Sequence, residues 1–123
     1  MTSSVQAPDV EALALAVLNP MGVHVSTKVP TTRPKKFIRA SLAGGGEVSI
    51  FDTPRVLVEC FAPTTVEASE LARKARLQLQ LAQFDIVAGW QLYGVDADYP
   101  VNFPDEVSER YQFLAEIRVR KSR

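Results

Sequence analysis

The spacing of apolar residues predicts a helix near the start of the chain. Asp9 and Glu11 lie at the end where the helix dipole favours negative charge. The helix is expected to end at Asn19, because the residue before Pro20 avoids helical geometry. The apolar residues that share one face at intervals of three and four are Val10, Leu13, Ala14, Val17 and Leu18.

A second, longer helix is predicted after Pro63. Thr64 and Glu67 fit a capping box, in which the threonine caps the first turn and the glutamate reaches back to it. Several residues of the apolar stripe that follows are alanines, so this helix can lie close against a sheet. The stripe consists of Ala68, Leu71, Ala72, Ala75, Leu79 and Ala82.

Alternating apolar and polar residues predict strands at 23–29, 37–42, 55–62 and 110–121. The strand at 55–62 is apolar on both faces, which is typical of a central strand. A weaker strand is predicted over 86–93, where Gly89 interrupts the pattern, and residues 48–51 are short and extended. The glycines at 44–46 predict a flexible turn. Residues 96–109 contain two prolines and several acids, and they predict an extended loop.

The order of these elements predicts an α+β fold. Strands joined by short turns favour antiparallel pairing, and both helices can then cover the same face. We therefore expect a mixed, mostly antiparallel sheet of four to five strands with two helices packed on one face. The chain of 123 residues is long enough for a single domain, residues 1–123, with a basic loop at 28–36 that contains Pro30 and Pro34.

Composition narrows the class of protein. The chain is 46% hydrophobic and 23% charged, which argues against a disordered, collagen-like or coiled-coil chain. No apolar run approaches the ~20 residues that span a bilayer, so no membrane association is expected. The N-terminal stretch lacks a signal peptide's apolar core. Cys60 is the only cysteine, which excludes an internal disulfide.

The net charge is zero, with 14 basic and 14 acidic residues, and this does not favour a dedicated nucleic-acid-binding domain. The charges are nevertheless segregated along the chain. Residues 28–39 contain five bases and no acid, residues 77–109 contain six acids and no base, and residues 110–123 are again basic. Blocks of opposite sign suit self-association between unlike faces, although solvated loops would give the same pattern.

No constellation of residues indicates catalysis, so the chain is not expected to be an enzyme. His24 is the only histidine, and Cys60 shares a strand face with valines, where a thiol is buried and inert. Asp96 and Asp98 lack the remaining ligand spacing of a calcium loop. The glycines at 44–46 are not followed by the Lys-Ser/Thr of a phosphate loop. We therefore expect no metal and no cofactor.

Two basic regions are candidates for recognition. The loop at 28–36 is stiffened by its prolines, which reduces the entropy lost on binding. The last strand carries arginines on the face turned away from its apolar side, and that face is either solvated or turned toward a partner. The candidate residues for a subunit or tube interface are Lys28, Arg33, Lys35, Lys36, Arg118 and Arg120.

The layout resembles the tail terminator family of long-tailed bacteriophages, especially those of actinobacterial hosts. A short helix ending at Asn19-Pro20 precedes a strand with a basic, proline-containing tail. Residues 52–62 (DTPRVLVECFA) lead into residues 64–72 (TTVEASELA), and this is the most specific part of the match. The chain then closes with Phe-Pro-Asp at 103–105 and Arg-Tyr at 110–111 before a final strand rich in arginine. Residues 94–99 depart most from the family pattern.

The resemblance implies a structural function in the virion. Members of this family form a hexameric ring on the last ring of the tail tube and stop tube polymerisation. The partners it implies are further copies of this chain, the tail tube protein and the head-completion or connector protein. DNA would pass through the lumen without sequence-specific binding. The expected location is the tail or neck of the virion, and the host cytoplasm during assembly.

Two alternative functions remain open at this stage. The chain could form another layer of the neck with the same fold, or it could be a small regulatory or ligand-binding α+β module with no phage role. The second alternative requires a pocket lined by convergent polar groups. No such pocket is evident in the sequence.

Overall fold

The computed structural model describes residues 9–120 of the chain. Two helices occur where the apolar spacing predicts them, with α1 at Val10–Leu18 and α2 at Thr65–Leu81. Asp9 caps α1 by accepting a 3.1 Å hydrogen bond from the backbone N–H of Ala12. The predictions that concern residues 1–8, and the C-terminal basic residues beyond 120, lie outside the described part.

Residues 9–120 contain seven strands: β1 (His24–Ser26), β2 (Phe37–Val48), β3 (Phe51–Ala62), β4 (Ile86–Val87), β5 (Trp90–Ala97), β6 (Val101–Asn102) and β7 (Glu109–Arg120). They form one mixed sheet in the order β1-β2-β3-β7-β5-β4, and β6 also pairs with β7. The β1–β2 pair is parallel. The other pairs among these strands, β2–β3, β3–β7, β5–β7, β4–β5 and β6–β7, are antiparallel.

The α+β class and the mostly antiparallel sheet are therefore confirmed, whereas the strand number was too low. The sheet has seven strands rather than four or five. Two of the additional strands, β4 and β6, are two residues long, which is too short to produce an alternating pattern. Turn geometry at Ala88, whose φ is 51°, and Gly89 separates β4 from β5.

The glycine-rich segment does not form the hairpin turn that its composition predicts. Gly44, Gly45 and Gly46 lie inside β2, and the chain reverses instead at Ser49 and Ile50. A register shift falls between Leu42 and Gly45. A Cβ on Gly45 would lie 2.5 Å from Pro54 Cα, so the glycine permits a close approach of two backbones beside a proline.

The helices and one face of the sheet enclose a single core. The buried side chains of α1 and α2 pack with the helix-facing residues of the long strands, such as Ile38, Val58 and Ile117. Strand β3 lies between β2 and β7, as its two apolar faces predict. No helix of residues 9–120 packs on the opposite face of the sheet, and we call it the open face. It presents alternate residues of β3 and β7, beginning with Phe51 and Arg120 at one end.

Candidate functional site

Two loops meet at one end of the open face, and an ion pair joins them. Arg33, in the loop between β1 and β2, places its Nη1 atom 2.6 Å from Oδ2 of Asp105, in the loop between β6 and β7. The same Nη1 donates a 3.2 Å hydrogen bond to the Ser108 hydroxyl. This hydrogen bond from Arg33 lowers the pKa of the Asp105 carboxyl. The basic loop is therefore held by its own chain.

An aromatic stack lies beneath these loops. The rings of Phe37 and Phe61 are parallel within 10°, and their centroids are 4.4 Å apart. The guanidinium of Arg33 lies 5.6 Å from the Phe61 centroid, and that of Arg110 lies 5.5 Å from it. Arg110 also lies 5.2 Å from the ring of Phe103. Such cation–π contacts fix the loops over the sheet.

Glu59 is a buried carboxylate between two arginines on the open face. Its relative exposure is 4%. Oε1 accepts a 3.0 Å hydrogen bond from Arg39, and Oε2 accepts a 3.0 Å hydrogen bond from Arg110. A carboxylate in this position requires such partners, because an unpaired buried charge is strongly destabilising. Glu59 has a structural role as the centre of a charge cluster.

The structure separates the residues predicted in the basic loop into two groups. Arg33 is paired with Asp105, and Lys36 lies 3.3 Å from a carboxylate oxygen of Glu67 on α2. Lys28 and Lys35 are exposed. Within residues 9–120, neither of these two lysines forms a salt bridge. Two of the four cations of the loop are therefore without an ion pair in the described residues, and Lys35 still lies within electrostatic range of Glu67.

Arg118 and Arg120 lie on the open face near the tip of the β2–β3 hairpin. Both are exposed, and Arg120 is opposite Phe51 in the β3–β7 register. The guanidinium of Arg118 is 5.6 Å from the Phe51 ring, which packs edge-to-face on Tyr93 at 5.2 Å. The two loop lysines and the two arginines thus belong to different parts of the sheet, and the structure does not bring them together.

The middle of the open face is uncovered. Leu57 and Leu114 lie opposite each other on β3 and β7, and Leu114 is 36% exposed. Beside them, Arg55 Nε is 3.5 Å from a carboxylate oxygen of Glu116. Asp96 of β5 is opposite Glu116 in the register, so two carboxylates face each other across neighbouring strands.

The described residues contain no arrangement that indicates catalysis or metal binding. No group of three or more potential metal ligands occurs among residues 9–120. Burial raises the pKa of the Cys60 thiol, and the neighbouring Glu59 carboxylate raises it further, so the thiol is unreactive at neutral pH. A groove of about 390 Å³ is lined chiefly by the β2 glycines, with Val10, Leu42 and Pro54.

Sequence reasoning missed the residues that hold the two loops together. The sequence predicts Asp105 in an extended, acidic loop, whereas in the structure it is the partner of an arginine 72 residues away. The signal for Glu59 was present, since a single acid in a strand that is apolar on both faces requires a buried cation. Neither partner could be assigned from spacing, because both contacts depend on how distant loops pack.

Within residues 9–120, no helix is long and apolar enough to cross a membrane. No family model matches the chain, and no curated protein matches it. Among solved structures, the chain is similar to a chain of the virion of a native gene transfer agent particle. The match covers 96% of this chain and 100% of the other, with a TM-score of 0.62 and 13% sequence identity. At this identity the comparison shows a shared fold.

Proposed function

We propose that this chain is a structural virion protein that forms a ring on the end of a tail tube. In this role it terminates polymerisation of the tube and provides the surface that joins the tail to the head. The observation that carries the proposal is the shared fold with a virion chain over nearly the whole length of both chains. The tail terminator resemblance of residues 52–72 supports the more specific role.

The surface of the chain is suited to assembly. A ring requires two different faces on each subunit, which meet head to tail and close by rotation. The open face exposes Leu114, Arg118 and Arg120, while the helices cover the other face. The chain is neutral overall, with 14 basic and 14 acidic residues, and its charges are locally segregated. We propose that the ring is hexameric and that DNA passes through its lumen.

The test removes the protein from the particle that normally contains it. Without this chain, we expect tail tubes of excess and variable length and heads without tails in electron micrographs. Supplying the wild-type chain should restore both tube length and joining. Tubes of normal length with unjoined heads would instead indicate another layer of the neck. Normal particles would contradict a structural role altogether and favour a regulatory or ligand-binding module.

A further inference from the structure

The two lateral edges of the sheet carry opposite charge. On one side, β1 is the outermost strand, and the loop that follows it presents Lys28 and Lys35. On the other side, the outermost strand β4 pairs with the first two residues of β5, so the later part of β5 borders this side of the sheet. This part carries Asp96, which is opposite Glu116 at the margin of the open face, and Asp98 follows directly after it. The segregation along the sequence is therefore also a segregation in space. We call these surfaces the basic edge and the acidic edge.

The carboxylates of the acidic edge are available to a partner. Asp96 and Asp98 are exposed, and neither forms a salt bridge within residues 9–120. The nearby Arg76 does not neutralise them through a direct ion pair, because its Nε donates to the backbone carbonyls of residues 97 and 98. Its guanidinium also lies 4.5 Å from the ring of Tyr99.

The cations of the basic edge are available in the same way. Lys28 and Lys35 are exposed, whereas their neighbours Arg33 and Lys36 are engaged by Asp105 and Glu67. These internal ion pairs hold the loop against its own chain. The loop therefore presents its two free lysines on an ordered surface, which reduces the entropy lost when a partner binds.

Lys28 and Asp98 lie at about the same level along the strands, whereas Lys35 lies just before β2, which begins at Phe37, and is nearer the end of the sheet. The backbone N–H of Asp98 donates to the carbonyl of Leu114, which is opposite Leu57, and Leu57 is opposite Ser41. Strand β1 runs parallel to β2 with Ser26 opposite Arg39, so Lys28 lies close to the level of Ser41. A rotation about an axis along the strands, with little translation, can therefore bring the basic edge of one copy to the acidic edge of the next.

We propose that the basic edge of one copy docks on the acidic edge of a second copy, head to tail, with Lys28 facing Asp96 and Asp98 and Lys35 adding positive charge farther along the basic edge. This contact deepens the proposed ring and rests on it, because it names the two surfaces that meet between neighbouring subunits. Complementary charge accelerates encounter, fixes the register and disfavours the contact between like edges. The contact repeats with the same hand at every subunit, as a closed ring requires.

The decisive experiment uses charge reversal and mixing. One variant, K28E/K35E, has two acidic edges, and the other, D96K/D98K, has two basic edges. Self-association is measured by sedimentation velocity over a range of concentrations at low ionic strength, where screening is weak. We expect each variant alone to associate at least about tenfold more weakly than the wild type. A 1:1 mixture should recover association, because the two variants can alternate around an even-membered ring.

The matched control is R73E/K74E, which reverses two exposed cations of α2 that belong to neither proposed edge; Lys74 pairs with Glu70 of the same helix. We expect it to associate like the wild type. Variants that associate normally, or a mixture that associates no better than its components, would overturn the proposed contact. If either of these results is found in a protein that still forms rings, the edge contact is wrong but the proposed ring stands. The two proposals can therefore fail separately.

A second measurement, cross-linking in assembled particles, tests the contact in case the ring forms only on the tube. In assembled particles, K28C/D98C is treated with a short bis-maleimide cross-linker, and the native Cys60 is buried and does not compete. We expect a ladder of linked multimers that is absent from the single variants K28C and D98C. Rings that are visible in the particles but give no ladder would overturn the contact, and particles without rings would overturn the proposed function.

Discussion

At the scale of single residues, the most informative group is a carboxylate in the sheet. Glu59 is buried between Arg39 and Arg110, on the face of the sheet that has no helices. Its neighbour Cys60 points to the other face, into the core. Consecutive residues of one strand thus serve a polar cluster and an apolar core, because successive side chains in a strand point to opposite faces.

Replacement of Glu59 by glutamine should destabilise the fold. The amide keeps the shape but removes the charge, which leaves two arginines without their shared counter-ion. We expect the free energy of unfolding in urea to fall by about 2–3 kcal/mol. The matched control is Glu116→Gln, since Glu116 also faces an arginine but its side chain is 38% exposed. The control should change stability by less than about 0.5 kcal/mol; equal losses would show that burial of Glu59 is unimportant.

At the scale of elements, the loops between strands are more ordered than their composition suggests. The loop between β1 and β2 and the loop between β6 and β7 are joined by Arg33 and Asp105. The threonine cap of α2 is confirmed, with the Glu67 N–H donating to the Thr64 hydroxyl oxygen at 3.2 Å. The Glu67 carboxylate reaches back as expected and accepts a 2.9 Å hydrogen bond from the Thr64 hydroxyl. Glu67 also pairs with Lys36, so the first turn of α2 helps to hold the basic loop. Glu67 therefore takes part both in the local cap of α2 and in a long-range ion pair.

The ion pair between the loops should make the free energy of unfolding depend on pH. Arg33 lowers the pKa of Asp105 in the folded state, so the carboxylate stabilises the fold above the ordinary carboxyl pKa. This contribution is lost as the pH falls below about 4 and through the lowered folded value. We therefore expect the gap in unfolding free energy between wild type and D105N to be largest near neutral pH and to narrow in acid.

A double-mutant cycle identifies the cause. In an R33Q background, D105N should cost less, and its cost should depend less on pH between 7 and 3. The reason is that Arg33 is the largest cause of the lowered Asp105 pKa, and without it the Glu106 backbone and Arg110 remain to lower that pKa. A gap that keeps the same size and the same pH dependence without Arg33 would show that another group is responsible for the shift at Asp105.

At the scale of the whole molecule, the sheet has a covered face, an open face and two unlike edges. The open face presents Arg118 and Arg120 near the hairpin tip, whereas the free lysines lie on an edge. These residues therefore cannot belong to one continuous patch. In the proposed ring, the edges make the contacts between subunits, and the part of the open face near the hairpin tip is left for the tube, the head or the lumen.

Substitution of Arg118 and Arg120 by serine should separate assembly from stability. Both side chains are exposed, and the contact of Arg118 with the Phe51 ring is worth no more than about 1 kcal/mol. We expect the free energy of unfolding to change by no more than about 1 kcal/mol. The fraction of heads joined to tails in electron micrographs should decrease. The control R73S/K74S on α2 should leave joining intact. Normal ring size and normal joining in R118S/R120S would show that these arginines face solvent only.

Replacement of Arg33, Lys35 and Lys36 together is a less specific probe of the basic loop. It also removes the ion pairs with Asp105 and Glu67, so a loss of assembly could follow from loosened loops. The variant with Lys28 and Lys35 changed leaves those pairs in place, which is why it carries the test of the edge contact.

The sequence by itself determined the helices, the central position of β3 and the α+β class. These features follow from periodicity, capping residues and turns, which act within a few residues. The tertiary structure decided what depends on distant contacts. The three glycines became a bulged segment of β2 because Pro54 lies against Gly45 on the neighbouring strand, and a turn at Ser49 replaced the predicted one.

The charges also divide into what the sequence shows and what only the tertiary structure decides. The sequence showed that the charges cancel in blocks, but only the structure showed which of them are already paired. Arg33 and Lys36 are neutralised within the chain, and Lys28 and Lys35 remain on the edge opposite Asp96 and Asp98. The strand order places the two blocks on opposite sides of one sheet, and strand order is set by long-range pairing that no local pattern encodes.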